Sequence, residues 1–275
     1  MADGSHISAR LERARGRAMV GFGPGGRLRD LHQSGSAKVF LPNMHGAVPE
    51  VVFLNTSGGL TGGDRLSFAL SLGARARAVA TTQTAERAYA SAGGQAEVTV
   101  DLTLAPGAAL DWLPQETILF DRSALSRRLR ADVAGDARLL MAETVVLGRA
   151  AMGETVRDVA LHDWREVRRD GRPVFVEPLR VTTPTLSAGP AALALADGRA
   201  ARAFATVALI APGAEDALGP VRAALSDIGV EAAASAWNGR AVARLMAADA
   251  APLKRALARI LDTLRGSPLP RVWQI

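Results

Sequence analysis

The chain contains no cysteine. That excludes disulfide frameworks, thiolate zinc sites, iron–sulfur clusters and a cysteine nucleophile. Lysine is nearly missing: Lys38 and Lys254 stand alone, so arginine supplies the rest of the basic charge. Aromatic residues are sparse, with seven Phe, four Trp and one Tyr, which leaves little for stacking on nucleic-acid bases. Histidine occurs only at positions 6, 32, 45 and 162. There is no H-E-x-x-H and no pair at helical spacing, so a permanent histidine metal centre is not expected. Long hydrophobic runs are missing too. The best, Ala203 to Ala211, contains Thr206 and falls well short of the roughly 18 residues of a membrane span. The Arg- and Gly-rich stretch Met1 to Gly26 lacks a signal peptide's apolar core of about 7–15 residues. The expectation is a cytoplasmic protein with no membrane association.

What is present looks globular. The 275 residues are 48% hydrophobic and 22% charged, ordinary values for a folded domain. One continuous domain over 1–275 is the simplest division, with 1–25 expected to be less ordered. The net charge is +6. Its arginines are spread along the chain, and no recognition helix, finger or RNP-like pattern accompanies them. The charge is read as a compositional bias towards Ala, Gly and Arg, and no nucleic-acid partner is expected.

The clearest periodicity is two. Ala96, Val98, Val100, Leu102 and Leu104 alternate with Gln95, Glu97, Thr99, Asp101 and Thr103, the pattern of a half-buried strand. Leu66, Phe68, Leu70 and Leu72 alternate likewise. Turn signals recur at Gly62-Gly63-Asp64, Leu72-Gly73, Gly93-Gly94, Pro106-Gly107, Gly135-Asp136 and Asp170-Gly171, and strands continue through Val174–Val181. This rhythm predicts a mainly β fold, a coiled or layered antiparallel-rich sheet body. About two α-helices are expected near the C-terminus. One covers roughly 214–229, with Leu218, Val221, Leu225 and Ile228 at helical spacing. The other covers roughly 251–265, with Leu253, Leu257, Ile260, Leu261 and Leu264 on one stripe and Gly266 as a stop. The tail Ser267 to Ile275, with two prolines, is expected to be extended.

Three features could carry chemistry. Gly21-Phe22-Gly23-Pro24-Gly25-Gly26 formally matches G-x-G-x-x-G, but no βαβ unit surrounds it and Pro24 removes a backbone donor. Ser57-Gly58-Gly59-Leu60-Thr61-Gly62-Gly63-Asp64 could cradle an anion with successive N–H groups, or simply make a tight connection between strands. It is not a Walker loop, since no Gly-Lys-Ser/Thr follows. Glu116, Glu143 and Glu177 each lie in or beside an apolar strand. Pointing inwards, they would need a partner or a purpose and could offer hard oxygen ligands or an acid/base pair.

Five segments together resemble the urease accessory protein UreD family, called UreH in some bacteria. They are Leu54-Asn55-Thr56-Ser57-Gly58-Gly59-Leu60-Thr61-Gly62-Gly63-Asp64; Thr81-Thr82-Gln83-Thr84-Ala85-Glu86-Arg87-Ala88-Tyr89; Trp112-Leu113-Pro114-Gln115-Glu116-Thr117-Ile118; Leu147-Gly148-Arg149 followed by Gly153-Glu154; and Leu269-Pro270-Arg271-Val272-Trp273-Gln274. They run in order from about Val39 to the end of the chain.

The resemblance implies a mainly β fold and a non-enzymatic role. Family members join the accessory protein UreF and the GTPase UreG, dock on the structural subunits of apo-urease, and assist nickel delivery to its active site. A complex with two copies of each accessory protein follows from the same resemblance. No tightly bound cofactor is implied, only nickel in transit through an internal polar passage. The positions that match the acidic and polar border of such a passage are Asp64, Glu86, Glu143 and Glu177; some relatives carry Ser at the Glu86 position and Asp at the Glu143 position. Weakly binding carboxylates and water suit a passage better than a closed cage, which would trap the ion. The competing reading is a small-molecule-binding enzyme that uses the Gly-rich loop at 57–64, with Glu116 or Glu143 as acid/base; no nucleophile–base constellation accompanies it.

Overall fold

The computed structural model describes residues 12–42, 48–187, 193–226 and 228–274. Its strands are β1 (Arg15–Phe22), β2 (Leu28–Gly35), β3 (Ala37–Phe40), β4 (Glu50–Asn55), β5 (Arg65–Leu72), β6 (Arg77–Thr82), β7 (Glu86–Ala88), β8 (Ala96–Leu104), β9 (Ala109–Leu113), β10 (Thr117–Leu119), β11 (Ser123–Val133), β12 (Arg138–Leu147), β13 (Val159–Arg169), β14 (Arg172–Thr182), β15 (Ala203–Ile210), β16 (Glu231–Trp237) and β17 (Arg240–Ala247). Among the described residues the α-helices are α1 (Thr183–Ser187), α2 (Leu218–Ala224) and α3 (Ala250–Arg265).

The strands form two sheets. The first runs β14-β13-β11-β8-β5-β1-β2, and the second runs β16-β17-β15-β12-β9-β6-β4-β3, with β10 bridging β12 and β7. From β5 to β13 the chain mostly winds back and forth between them: β5, β8, β11 and β13 lie in the first sheet, β6, β9 and β12 in the second. Each strand returns to its own sheet only after crossing the other, so it comes back pointing the same way. The β5–β8, β8–β11, β11–β13, β6–β9 and β9–β12 ladders are therefore parallel. Antiparallel pairing is kept for the flanks: β1–β2, β3–β4, β13–β14, β12–β15, β15–β17 and β16–β17. The sheets are thus mixed where an antiparallel-rich body is expected from the turn rhythm. A corner that switches sheets and a hairpin that stays in one use the same turn residues.

Two cores result. Between the sheets the inward faces meet, with Ala96, Val98, Val100, Leu102 and Leu104 of β8 against Phe53 and Trp112 of the second sheet. The outer face of the second sheet is covered by α2, α3 and the tail, through Leu253, Leu257, Ile260, Leu261 and Trp273. This explains why β12 and β15 read as nearly continuous apolar runs, whereas β5 and β8 alternate: the former are covered on both faces, the latter on one.

The C-terminal helix behaves as its pattern predicts. Asp249 accepts a hydrogen bond from Ala251 N at 2.9 Å as N-cap, and Gly266 closes the helix at φ +61°. The helix expected over 214–229 is shorter: a 3-10 turn at Ala214–Ala217 leads into α2, which ends at Ala224. Pro220 has no N–H and fits only the first turn, so the helical run starts just before it. The tail is not wholly extended, since Arg271–Trp273 forms a 3-10 turn. In the stretch 1–25, expected to be less ordered, β1 carries Ala18, Val20 and Phe22 into the core; its alternation is disguised by Gly16 and Gly21, which make room for Ala37 and Asp30. The G-x-G-x-x-G look-alike is the turn of the β1–β2 hairpin.

Candidate functional site

The Gly-rich loop between β4 and β5 is braced from within. Asp64 is buried, and its two carboxylate oxygens accept from Ala14 N and Thr61 N, each at 2.8 Å. Four more loop donors are also taken: Ser57 N by Asn55 Oδ1, Leu60 N by Arg87 O, Gly63 N by Gln95 O and Asp64 N by Thr61 O. Glycine is required here for close approach. A Cβ on Gly62 would sit 2.1 Å from Ser91 Oγ and 2.3 Å from Gly93 O. The loop is a packed connection braced by its own carboxylate.

The five motif segments are hydrogen-bonded to one another. Leu60 and Tyr89 exchange with the β7 strip through Leu60 N–Arg87 O and Tyr89 N–Leu60 O, both 2.7 Å. Glu86 N donates to Glu116 O at 3.0 Å, and Gln115 N to Thr82 Oγ1 at 2.9 Å. Gly148 N reaches Leu119 O at 2.8 Å. From the tail, Trp273 Nε1 donates to Leu113 O at 3.0 Å, while Lys254 Nζ of α3 donates to Gln115 Oε1 at 2.8 Å.

Inside this neighbourhood lies a cavity of about 50 Å³ between the sheets, lined by Phe68, Trp112, Gln115 and Arg127 and, among the acids, by Glu86 and Glu143. That is room for about one or two waters. Glu86 accepts from Asn55 Nδ2 at 3.3 Å and Arg87 N at 3.1 Å. Burial pushes its carboxyl up to about 7, against the pull of those hydrogen bonds. Glu143, on β12, accepts from Trp112 Nε1 at 2.8 Å and pairs with Arg127 of β11 at 3.0 Å.

Arg127 starts a chain of ion pairs that is buried up to its last member, the exposed Arg244. The Arg127 guanidinium also pairs with Asp163 of β13 at 2.5 Å. Asp163 pairs with Arg165 at 2.6 Å, Arg165 with Glu177 of β14 at 2.8 Å, and Glu177 with Arg244 of β17 at 2.8 Å. Burial works against ionising Asp163, but Arg127 and Arg165 outweigh it and hold its carboxyl below the usual range.

Of the four sequence-predicted acids, then, Glu86 and Glu143 share the cavity. Asp64 stands in the adjoining loop and Glu177 near the far end of the ion-pair chain, and neither lines it. Glu116 pairs instead with Lys254 at 3.6 Å. Arg127, Asp163 and Arg165 were not foreseen. For the β13 pair the sequence carries a signal: Val159, Leu161, Asp163, Arg165 and Val167 form one alternating face, and all are buried. An Asp-x-Arg pair on the apolar face of a strand marks an internal ion pair. Among the described residues no group of three or more His, Asp or Glu could hold a metal ion. His32 and His162 are exposed, and His6 and His45 lie outside the described residues.

A model of the UreD urease accessory protein family matches residues 14–274. The chain belongs to the UreD family of urease accessory proteins. It is 57% identical over 267 residues to the urease accessory protein UreD of Cereibacter sphaeroides strain ATCC 17025, covering 96% of each chain. It is 52% identical to that of a Jannaschia species, covering 96% of this chain and 97% of the relative. It is 44% identical to that of Rhizobium leguminosarum bv. viciae, covering 98% of each. These UreD relatives are named as accessory proteins, in keeping with a non-enzymatic role, and the mostly β architecture expected for a UreD protein is the one observed. Among the described residues no helix is long and apolar enough to cross a membrane.

Proposed function

We propose that this chain works in the cytoplasm as a urease maturation scaffold. It forms a complex with UreF and UreG, two copies of each, and docks on the structural subunits of apo-urease. There it assists nickel delivery along an internal polar passage. It performs no catalysis of its own and holds no tight cofactor; nickel is its cargo. The observation that carries this reading is the shared cavity of Glu86 and Glu143, placed where the family's characteristic segments meet. Two carboxylates beside room for a water or two, one of them paired with Arg127, give an ion stepping points without a cage. Asp64 and Glu177 belong to the same reading as supports. Asp64 closes the loop on itself through Thr61 and ties it to Ala14 ahead of β1, and Glu177 anchors the ion-pair chain that orients Glu143 through Arg165, Asp163 and Arg127.

The test is nickel loading of urease in cells carrying Glu86→Gln and Glu143→Gln, singly and together. The expected result is urease with reduced nickel content and activity, while UreF, UreG and this chain still co-purify. Normal nickel content in the double variant defeats the passage.

A further inference from the structure

Arg127 occupies a place built for a cation. Its guanidinium touches three oxygens from three strands: Thr117 Oγ1 of β10 at 2.9 Å, Glu143 Oε2 of β12 at 3.0 Å and Asp163 Oδ2 of β13 at 2.5 Å. The side chains of Arg127, Glu143 and Asp163 are 10%, 5% and 0% exposed. Asp163 Oδ1 is buried and accepts no hydrogen bond. Arg127 and Arg165 compensate the buried charge through Oδ2, and Oδ1 keeps acceptor capacity that a cation could use. All the donors are hard oxygens, the type that divalent cations accept. Arg165 holds Asp163 Oδ2 through Nε at 3.1 Å and Nη2 at 2.6 Å, so Asp163 keeps its orientation when Arg127 withdraws. Trp112 does the same for Glu143 through Oε1.

We propose that Arg127 is a tethered counter-cation, seated in a latent divalent-cation site made by Thr117 Oγ1, Glu143 and Asp163. Its identification of the cation as Ni²⁺ rests on the passage reading above. Two buried carboxylates left open would hold a divalent ion and turn a passage into a trap. With the guanidinium in place, an arriving ion must displace charge-assisted hydrogen bonds and gains only the difference. The site is thereby kept weak. Once the ion leaves, the arginine returns and no carboxylate stays unpaired.

The experiment is calorimetric titration of the purified full-length chain with Ni²⁺ alone. Arg127→Gln is expected to bind one Ni²⁺ at least about tenfold more tightly than the wild type. Arg127→Lys, which keeps the charge, is expected to match the wild type. Arg127→Gln combined with Asp163→Asn is expected to lose the gain. Unchanged affinity in Arg127→Gln, or a gain that survives Asp163→Asn, overturns the proposal. If Arg127→Gln is insoluble, Arg127→Met is prepared with and without Ni²⁺. Rescue of solubility by the ion supports the latent site, and aggregation under both conditions overturns it. Nickel loading of urease by Arg127→Gln separates the two readings. Tightened binding with normal loading keeps the latent site and defeats the passage. Unchanged binding defeats the latent site whatever the loading.

Discussion

Glu86 is a carboxyl at odds with its surroundings. Burial raises it to about 7 from an ordinary 4.5, and the bonds from Asn55 and Arg87 only partly compensate. The sign of the consequence is fixed. Between pH 4.5 and 7 the folded chain keeps a proton that the unfolded chain has released, so stability falls as pH rises through that window. Above it the full cost stands. Glu86→Gln removes the charge, so it is expected to match the wild type near pH 4 and to exceed it at pH 8, by up to about 3 kcal/mol. Urea unfolding across that range reads the difference, and a difference that does not change with pH rules the idea out. Trp112→Phe is a second test at this scale. It keeps an aromatic ring but removes the Nε1–H that Glu143 accepts at 2.8 Å and part of the buried indole volume, so a loss of about 1–3 kcal/mol is expected in the same assay. Glu143 could be suspected from sequence because it interrupts an apolar strand. Its arginine partner could not, because Arg127 lies in another sheet and contact between sheets leaves no trace in local spacing.

At the scale of elements, the Gly-rich loop separates two reasons for glycine. Gly58 sits at φ +79° with open space where a Cβ would go. Gly62 has an ordinary φ, but its Cβ would strike the Gly93 carbonyl and the Ser91 hydroxyl. Gly58→Ala is therefore expected to cost about 1 kcal/mol, the usual price of a left-handed residue. Gly62→Ala must push backbone apart and is expected to cost more, about 2–3 kcal/mol. Thermal unfolding of the two variants checks the order, and the reverse order would show that conformation, not packing, set the loop. The strands show the same division between local and non-local information. Period-two alternation located β5 and β8 well, since each buries one face. It could not say whether the next strand folded back beside them or crossed to the other sheet, so the parallel winding stayed hidden. β12 and β15 lost their alternation altogether, because α2 and α3 cover their second face.

At the scale of the whole molecule, the tail holds the outer core to the site. Trp273 is buried, and its Nε1–H donates to Leu113 O, the residue before Pro114 and Gln115 on the cavity wall. Lys254 lies 5.9 Å from the same ring and donates to Gln115 from α3. The tail is thus the second layer behind the cavity, and its L-P-R-V-W segment is explained by packing. Trp273→Ala is expected to cost about 3–5 kcal/mol, the range for losing a large buried aromatic. Trp273→Phe, losing the hydrogen bond and one ring of the indole, is expected to cost less, about 1–3 kcal/mol. Chemical denaturation of both variants measures this. Losses under about 1 kcal/mol for Trp273→Ala would mean that the ring serves a partner surface instead. The distinction bears on any truncation of the tail. Removing Arg271 to Ile275 weakens the wall at Pro114 and Gln115 as well as deleting surface, so failure to assemble would report lost folding before it reported a lost interface. Trp273→Phe, which keeps an aromatic side chain in that place, is the variant in which assembly can be read cleanly.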